Sequence, residues 1–93
     1  MKVLYNEAAR GDIGRIFEYI HPRNSNAAAQ VVLAIQLSTY RLGDFPNSGR
    51  LGGVEGTREI VVPRLPYIVV YCIRADFVEV LAVFHAAENK PRG

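Results

Sequence analysis

The sequence predicts an α+β domain in which an N-terminal strand and a two-helix hairpin pack on one face of a mainly antiparallel β-sheet. Two observations predict this class. The stretch from Gly56 to His85 contains three segments rich in β-branched and aromatic residues, at Thr57–Val62, Pro66–Ile73 and Phe77–Phe84. The first half of the chain carries two helical patterns, and a sheet that is apolar on both faces needs such cover on at least one of them.

The strand boundaries follow from local chemistry. The first segment stops at Pro63, because proline has no N–H to donate to a sheet ladder. The connection Arg74-Ala75-Asp76 between the other two segments is short enough to require antiparallel pairing. Near the other end of the sequence, Lys2–Tyr5 has the character of a short first strand.

The first helix is predicted to run from Glu7 to about Ile20, with Asn6 as its N-cap. We expect Pro22 to end it, because a residue that precedes proline, here His21, avoids the α region. The apolar residues of this segment recur at the i, i+3, i+4, i+7 spacing of an amphipathic helix: Ala9, Ile13, Ile16, Phe17 and Ile20.

The second helix is predicted to run from about Ala27 to Leu42, after the capping oxygens of Asn24-Ser25-Asn26 and before a stop at Gly43. The Gly- and Pro-rich segment Asp44–Gly53 that follows is predicted to be a loop. The helix carries two apolar stripes, one formed by Ala28, Val31, Val32, Ile35 and Leu42, the other by Leu33, Leu37 and Tyr40. Either the first helix and the sheet cover one stripe each, or the second stripe stays partly exposed as a docking surface for another protein.

Composition limits the class of protein. The 93 residues predict a single domain spanning positions 1–93. The hydrophobic fraction of 49% and the charged fraction of 22% are ordinary for a soluble globular chain. The net charge of +2 is low for a protein that depends on phosphate contacts, so sequence-specific DNA binding by this chain alone is not expected.

Single residues add further expectations about location and ligands. The one cysteine, Cys72, has no partner for an internal disulfide; it is predicted to be a small buried hydrophobe in a reducing cytoplasm. No apolar stretch approaches membrane-spanning length, and the N-terminus does not resemble a signal peptide. His21 and His85 lie too far apart in sequence to suggest a metal site, and we expect no cofactor.

The predicted order of one strand and two helices, followed by four short motifs, resembles the RelE/ParE superfamily of bacterial toxin–antitoxin modules. The motifs are F-P-x-x-G-R at Phe45–Arg50, G-T-R-E at Gly56–Glu59, P-Y-x-V-V-Y at Pro66–Tyr71 and V-E-V-L-x-V-x-H at Val78–His85. The resemblance implies a small cytoplasmic toxin of a plasmid-stabilization or growth-inhibition module, held inactive by a cognate ParD/RelB-like antitoxin. Antitoxins of this superfamily cover the helical hairpin and sheet, which implies antitoxin-binding roles for Leu33, Leu37, Tyr40 and Phe17.

The superfamily divides by target, since RelE-like members cut messenger RNA on the ribosome and ParE-like members poison DNA gyrase. RNA cleavage needs an acid, a base and cations that stabilise the phosphorane charge. Many ribonuclease members carry an arginine where this chain has Ile68, and Ala86-Ala87 follow His85 in place of an aromatic or basic residue. The resemblance therefore favours a ParE-like gyrase inhibitor rather than an enzyme. The alternatives are a ribosome-dependent endoribonuclease that uses His85, Arg58 and Arg50, or an inactive homologue that only binds antitoxin.

The candidate target-binding residues are Arg58, Arg50, Arg74 and His85. Each also has an ordinary structural interpretation. Arg58 is predicted to share a strand face with Ile60 and Val62 and to pair with a carboxylate such as Glu79 or Glu55 if it does not bind a target. Arg50 would face a partner or water, Arg74 would be a solvated charge at a hairpin tip, and His85 would cap a strand end. Tyr67 and Tyr71, on one face of their strand, are predicted to be core, and a dense basic cleft around His85 would favour the nuclease.

Overall fold

One mixed sheet organises the part of the chain that the computed structural model describes, residues 1–88. Its strands are β1 (Lys2–Tyr5), β2 (Arg50–Leu51), β3 (Arg58–Val61), β4 (Tyr67–Ile73) and β5 (Phe77–His85), in the spatial order β1-β5-β4-β3-β2. β1 runs parallel to β5, and the other neighbours are antiparallel. The predicted α+β class is therefore confirmed, whereas β2 lies inside the segment predicted to be a loop.

Side-chain caps set where the two helices begin. In α1 (Glu7–Ile20), the side chain of Asn6 accepts a hydrogen bond from the N–H of Ala9 at 2.8 Å, as predicted. In α2 (Ser25–Tyr40), Asn24 does the same for Ala27 at 3.0 Å. Because Asn24 is the first of the three candidate caps, α2 starts two residues earlier than predicted.

The helix ends are less simple than the sequence suggests. α1 does end at Ile20, but His21 keeps right-handed helical dihedral angles (φ −53°, ψ −45°), so the expectation that it leaves the α region was wrong. Its N–H still donates to the carbonyl of Phe17 at 2.9 Å, and residues 21–23 form the turn between the two helices. At the end of α2 the chain tightens into a 3₁₀ turn, Arg41–Gly43, before it reaches the sheet edge.

The core lies between the helical hairpin and one face of the sheet. Buried residues from both helices and from the strands form it: Ala9, Ile35, Val62, Tyr67, Val69, Val80 and Val83. A smaller buried group of Leu42, Tyr71 and Val78 continues it toward the 3₁₀ turn. Both tyrosines of β4 are core residues and Cys72 is buried, as predicted.

A bulge in β5 controls which of its side chains face the helices. Val70 is opposite Ala82 but Tyr71 is opposite Val80, so β5 contains one extra residue at Leu81. The strand alternation therefore shifts by one, and both Val80 and Val83 reach the core.

Residues 1–88 contain no helix with the length and apolar character to cross a lipid bilayer.

Candidate functional site

One apolar surface of α2 is not covered by the fold. Leu33, Leu37 and Tyr40 are 54%, 56% and 74% exposed, whereas Ile35 and Thr39 on the opposite side are buried. We call these three exposed residues the outer helical stripe; their i, i+4, i+7 spacing places them along one side of the helix. The structure confirms that this stripe is exposed, and its role as a docking surface for another protein stays a prediction. Phe17 on α1 is about one-third exposed, with its ring 5.0 Å from that of His21.

Two of the arginines predicted to bind a target are held in ion pairs. Arg50 Nη2 lies 3.1 Å from Oε1 of the buried Glu59, which is its ladder partner across β2 and β3. Arg74 Nη2 lies 2.7 Å from Oε1 of Glu79, and its Nε donates to the same oxygen at 2.8 Å. That hydrogen bond raises the pKa of Arg74. Arg74 is an exposed charge at the hairpin tip, as predicted, and Glu79 is its ion-pair partner.

Arg58 anchors a loop. Register places it opposite Tyr71, on the strand face shared with Ile60, as predicted. Its Nη1 donates to the carbonyl oxygens of Gly49 at 2.7 Å and Asn47 at 3.4 Å. The expected pairing of Arg58 with Glu79 or Glu55 was wrong. Glu79 pairs with Arg74, and the Arg58 guanidinium donates to the loop carbonyls instead.

The F-P-x-x-G-R segment has a structural role that the sequence did not show. The buried Tyr71 hydroxyl donates to the carbonyl of Pro46 at 2.7 Å and accepts from the N–H of Gly49 at 3.0 Å. A Cβ on Gly49 would lie 2.6 Å from that hydroxyl and 2.7 Å from the carbonyl oxygen of Glu59. Tyr71 thus ties the loop to the sheet, and the glycine permits the close approach.

The three residues of the nuclease interpretation do not converge. His85 is opposite Tyr67 and Arg58 is opposite Tyr71, so the two lie about 13 Å apart along β4, on strands to either side of it. Arg50 pairs with Glu59, which alternates to the other face of β3 from Arg58. Arg50 and Arg58 thus lie on opposite faces of the sheet, and His85 lies near the other end of β4 from Arg58.

His85 instead lines a cleft of about 580 Å³ between α1 and the ends of β4 and β5. The Tyr67 ring packs edge-on against the His85 ring, with 5.5 Å between centroids. We call this feature the His85 cleft; its lining residues are Asp12, Arg15, Ile16, Tyr19, Tyr67, Ala82, Val83, Phe84, His85 and Glu88.

Hydrogen bonds fix the polar groups of the His85 cleft. Asp12 accepts from the Val83 N–H at 2.9 Å and pairs with Arg15 at 2.5 Å. His85 Nδ1 accepts from the Ala87 N–H at 3.0 Å, and Glu88 accepts from the His85 N–H at 2.6 Å. Because Nδ1 acts as an acceptor, the hydrogen-bond network assigns a neutral ring with its proton on Nε2.

The charges around His85 do not form a dense basic cleft within the described residues. Arg15 is the one arginine of the lining, and Asp12 and Glu88 oppose it. Burial raises the pKa of the Tyr67 hydroxyl, and the nearby Glu88 and Tyr19 raise that pKa further. Among residues 1–88, no group of three His, Cys, Asp or Glu side chains is arranged to hold a metal ion.

Sequence reasoning missed the α1 side of the His85 cleft. Asp12, Arg15 and Tyr19 belong to no motif, and Asp12 meets Val83 across 71 positions of sequence. A polar Asp12 beside the apolar Ile13 was the only local signal, and it equally fits a solvent-facing helix position. Tyr67 was predicted to be core, which is correct, but its ring also forms part of the cleft wall.

Comparisons with known proteins agree on a family. Residues 3–90 match the family described as ParE toxin of type II toxin-antitoxin system, parDE. Y4kP of Sinorhizobium fredii, a candidate toxin by its name, is 40% identical over 80 residues, which span 86% of this chain and 82% of that protein. Toxin RelE2 of Caulobacter vibrioides is 28% identical over 86 residues, 92% of this chain and 96% of its own. A chain from the chromosomal ParDE system of P. aeruginosa shares the fold, with a TM-score of 0.82 at 18% identity, covering 91% of this chain and 95% of that one.

Proposed function

Because this chain belongs to the ParE toxin family of type II toxin–antitoxin systems, we propose that it inhibits DNA gyrase in the cytoplasm until a cognate antitoxin covers its outer helical stripe. The family supplies the class of protein, a toxin with an antitoxin partner. The observation that carries the antitoxin-binding part is the exposure of Leu33, Leu37 and Tyr40 on a helix whose opposite side is buried against the core. A row of large apolar side chains left in solvent is typical of a protein–protein interface.

The choice of gyrase over messenger RNA rests on the arrangement of charged groups. A phosphorane needs several cations within hydrogen-bond distance of one phosphate. Here Arg50 and Arg74 are bound to carboxylates, Arg58 holds loop carbonyls, and His85 lies in a cleft with two carboxylates. The position that carries arginine in many ribonuclease members is the buried Ile68. These placements favour a toxin that acts by binding a large target rather than by cutting a bond.

The experiment compares the two targets directly. Purified chain without antitoxin is added to gyrase supercoiling reactions and, separately, to ribosomes loaded with a defined transcript. We expect trapped gyrase–DNA breaks or lost supercoiling, with the transcript intact. Cleavage of the ribosome-bound transcript that disappears in His85→Ala, with gyrase unaffected, would replace this proposal with the endoribonuclease. Inertness toward both targets, with antitoxin binding retained, would identify an inactive antitoxin-binding homologue.

A further inference from the structure

The wall of the His85 cleft carries a polar group that the fold does not use, the Tyr67 hydroxyl, and this atom keeps contact with solvent, because the fully buried side-chain polar atoms of residues 1–88 all have hydrogen-bond partners. Tyr67 is only 8% exposed, and its hydroxyl has no hydrogen-bond partner among residues 1–88. The other tyrosines of the core are different: Tyr71 bonds to Pro46 and Gly49, and the Tyr5 hydroxyl bonds to that of Thr39. The Tyr67 hydroxyl lies near Glu88 and Tyr19, which also line the cleft. The Tyr67 hydroxyl is therefore available to form a hydrogen bond with a ligand in the His85 cleft.

The charge of the cleft indicates the sign of its ligand. Asp12 and Arg15 neutralise each other at 2.5 Å, and His85 is neutral because Nδ1 accepts the Ala87 N–H. The carboxylate of Glu88 then leaves the described lining with one net negative charge. A cation is attracted to such a site, and a phosphate is repelled.

The shape of the cleft indicates the kind of cation. Ile16, Val83 and Phe84 provide apolar walls suited to the methylene stem of a long side chain. Arg23 already lies over the Tyr19 ring, with 4.3 Å from Cζ to the centroid, so an aromatic ring at the edge of this cleft does accept a guanidinium. The volume of about 580 Å³ exceeds that of one side chain. The cleft is therefore large enough for a short peptide segment.

We propose that the His85 cleft binds an arginine or lysine side chain presented by a peptide segment of the partner protein. The cationic head donates to the Glu88 carboxylate and the Tyr67 hydroxyl, and the Nε2–H of His85 is free to donate to a backbone carbonyl of the segment. The identity of the partner rests on the proposed function, in which the segment belongs to the antitoxin. The cleft then forms a second contact, separate from the outer helical stripe.

The chemistry is tested first without any antitoxin. Blocked Ala-Arg-Ala is titrated into the protein while the NMR signals of Tyr67 and His85 are followed, with blocked Ala-citrulline-Ala as the neutral isostere. We expect saturable shifts for the arginine peptide and at least a threefold weaker response for citrulline. Glu88→Gln keeps the acceptor for the His85 N–H but removes the charge, so it should weaken arginine binding at least threefold. Glu18→Gln, a helix carboxylate outside the lining, should not.

Three results would overturn the inference: no saturable shift, equal affinity for the two peptides, or tighter binding of inorganic phosphate than of the arginine peptide. The antitoxin complex then tests the partner. If Leu37→Asp weakens the complex but Glu88→Gln and Tyr67→Phe leave it unchanged, the cleft is not part of the antitoxin site, and the proposed function stands. If no antitoxin binds while the arginine peptide does, the proposed function fails and the cation preference of the cleft stands.

Discussion

Two tyrosines on the same face of β4 differ in what their hydroxyl groups do. The Tyr71 hydroxyl forms hydrogen bonds with Pro46 and Gly49 in the loop that precedes β2. Tyr67, four residues earlier, packs its ring on His85 and leaves its hydroxyl to the His85 cleft. Strand alternation predicts that both point to the core, but it does not distinguish a structural hydroxyl from an unused one.

Tyr71→Phe should reduce the free energy of unfolding by about 1–3 kcal/mol, because it leaves the buried N–H of Gly49 and the half-buried carbonyl of Pro46 without their partner. Urea denaturation measures the change. Tyr40→Phe is the matched control, since Tyr40 is 74% exposed and its substitution should stay within about 0.5 kcal/mol of the parent chain. Equal stability of the two variants would show that the loop does not depend on this hydroxyl.

Gly49→Ala should cost at least as much, on the order of 1–3 kcal/mol, since the new methyl meets the Tyr71 hydroxyl and a backbone carbonyl and neither can move far. Gly53→Ala provides the comparison, because a Cβ at Gly53 meets nothing within 4 Å. Thermal unfolding of both variants measures the difference. A Gly49→Ala protein as stable as Gly53→Ala would contradict the close approach described for this loop.

At the scale of elements, α2 has apolar residues on two sides, one packed in the core and one exposed to solvent. Its inner side supplies Ile35 to the core, and its outer side carries the outer helical stripe. Periodicity alone could not decide between cover and exposure, because an apolar stripe looks the same whether its partner is in the same chain or in another. The structure removes the first possibility for this stripe.

Leu37→Asp should leave the isolated protein folded, because Leu37 is 56% exposed, and should weaken the antitoxin complex at least tenfold. Gln36→Asp is its matched control, an exposed neighbour on the same helix that receives the same charge. Circular dichroism reports the fold, and calorimetric titration with antitoxin reports the affinity. Loss of helicity in Leu37→Asp would show that the stripe supports the fold instead.

Gly14→Ala should stabilise α1 by about 0.5–1 kcal/mol, because alanine is the better helix former and a Cβ at this position has open space around it. Gly56→Ala should have the opposite sign, since Gly56 has φ +85° in the left-handed region. Denaturation midpoints of the two variants compare them. A destabilised Gly14→Ala protein would mean that α1 depends on this glycine in a way the packing does not show.

At the scale of the molecule, the interior opposes ionisation at high pH. Burial raises the pKa values of Tyr67 and Cys72 above their ordinary values of 10.0 and 9.0. Above the unfolded-state values the native chain retains protons that the unfolded chain has lost, so stability must fall as pH rises. Below about pH 8 both groups are protonated in both states and contribute almost no slope.

The free energy of unfolding should therefore be level near neutral pH, decline from about pH 8 and decline faster above about pH 9. Urea unfolding across this range measures the slope. Combining Cys72→Ala with Tyr67→Phe should flatten the curve, whatever the variant costs at neutral pH. An unchanged alkaline slope in that variant would assign the loss of stability to other groups.

The sequence predicts most of the fold because its decisive signals are local. The start of α1 agrees with prediction because a capping asparagine acts within a few residues; the helix also ends at Ile20, although His21 does not leave the α region before Pro22. β2 was missed because two residues form a strand only by pairing with β3. The His85 cleft was missed for the same reason at larger scale, because α1 and β5 come from opposite ends of the sequence.

The parallel pairing of β1 with β5 affects how this protein is made. β5 lies between β1 and β4, so the strand that joins the two halves of the sheet is the last strand of the described chain to be translated. Until Phe77–His85 has emerged from the ribosome, β1 has no strand to pair with, and the core lacks Val80 and Val83. The five-stranded sheet therefore cannot be completed before β5 has been synthesised.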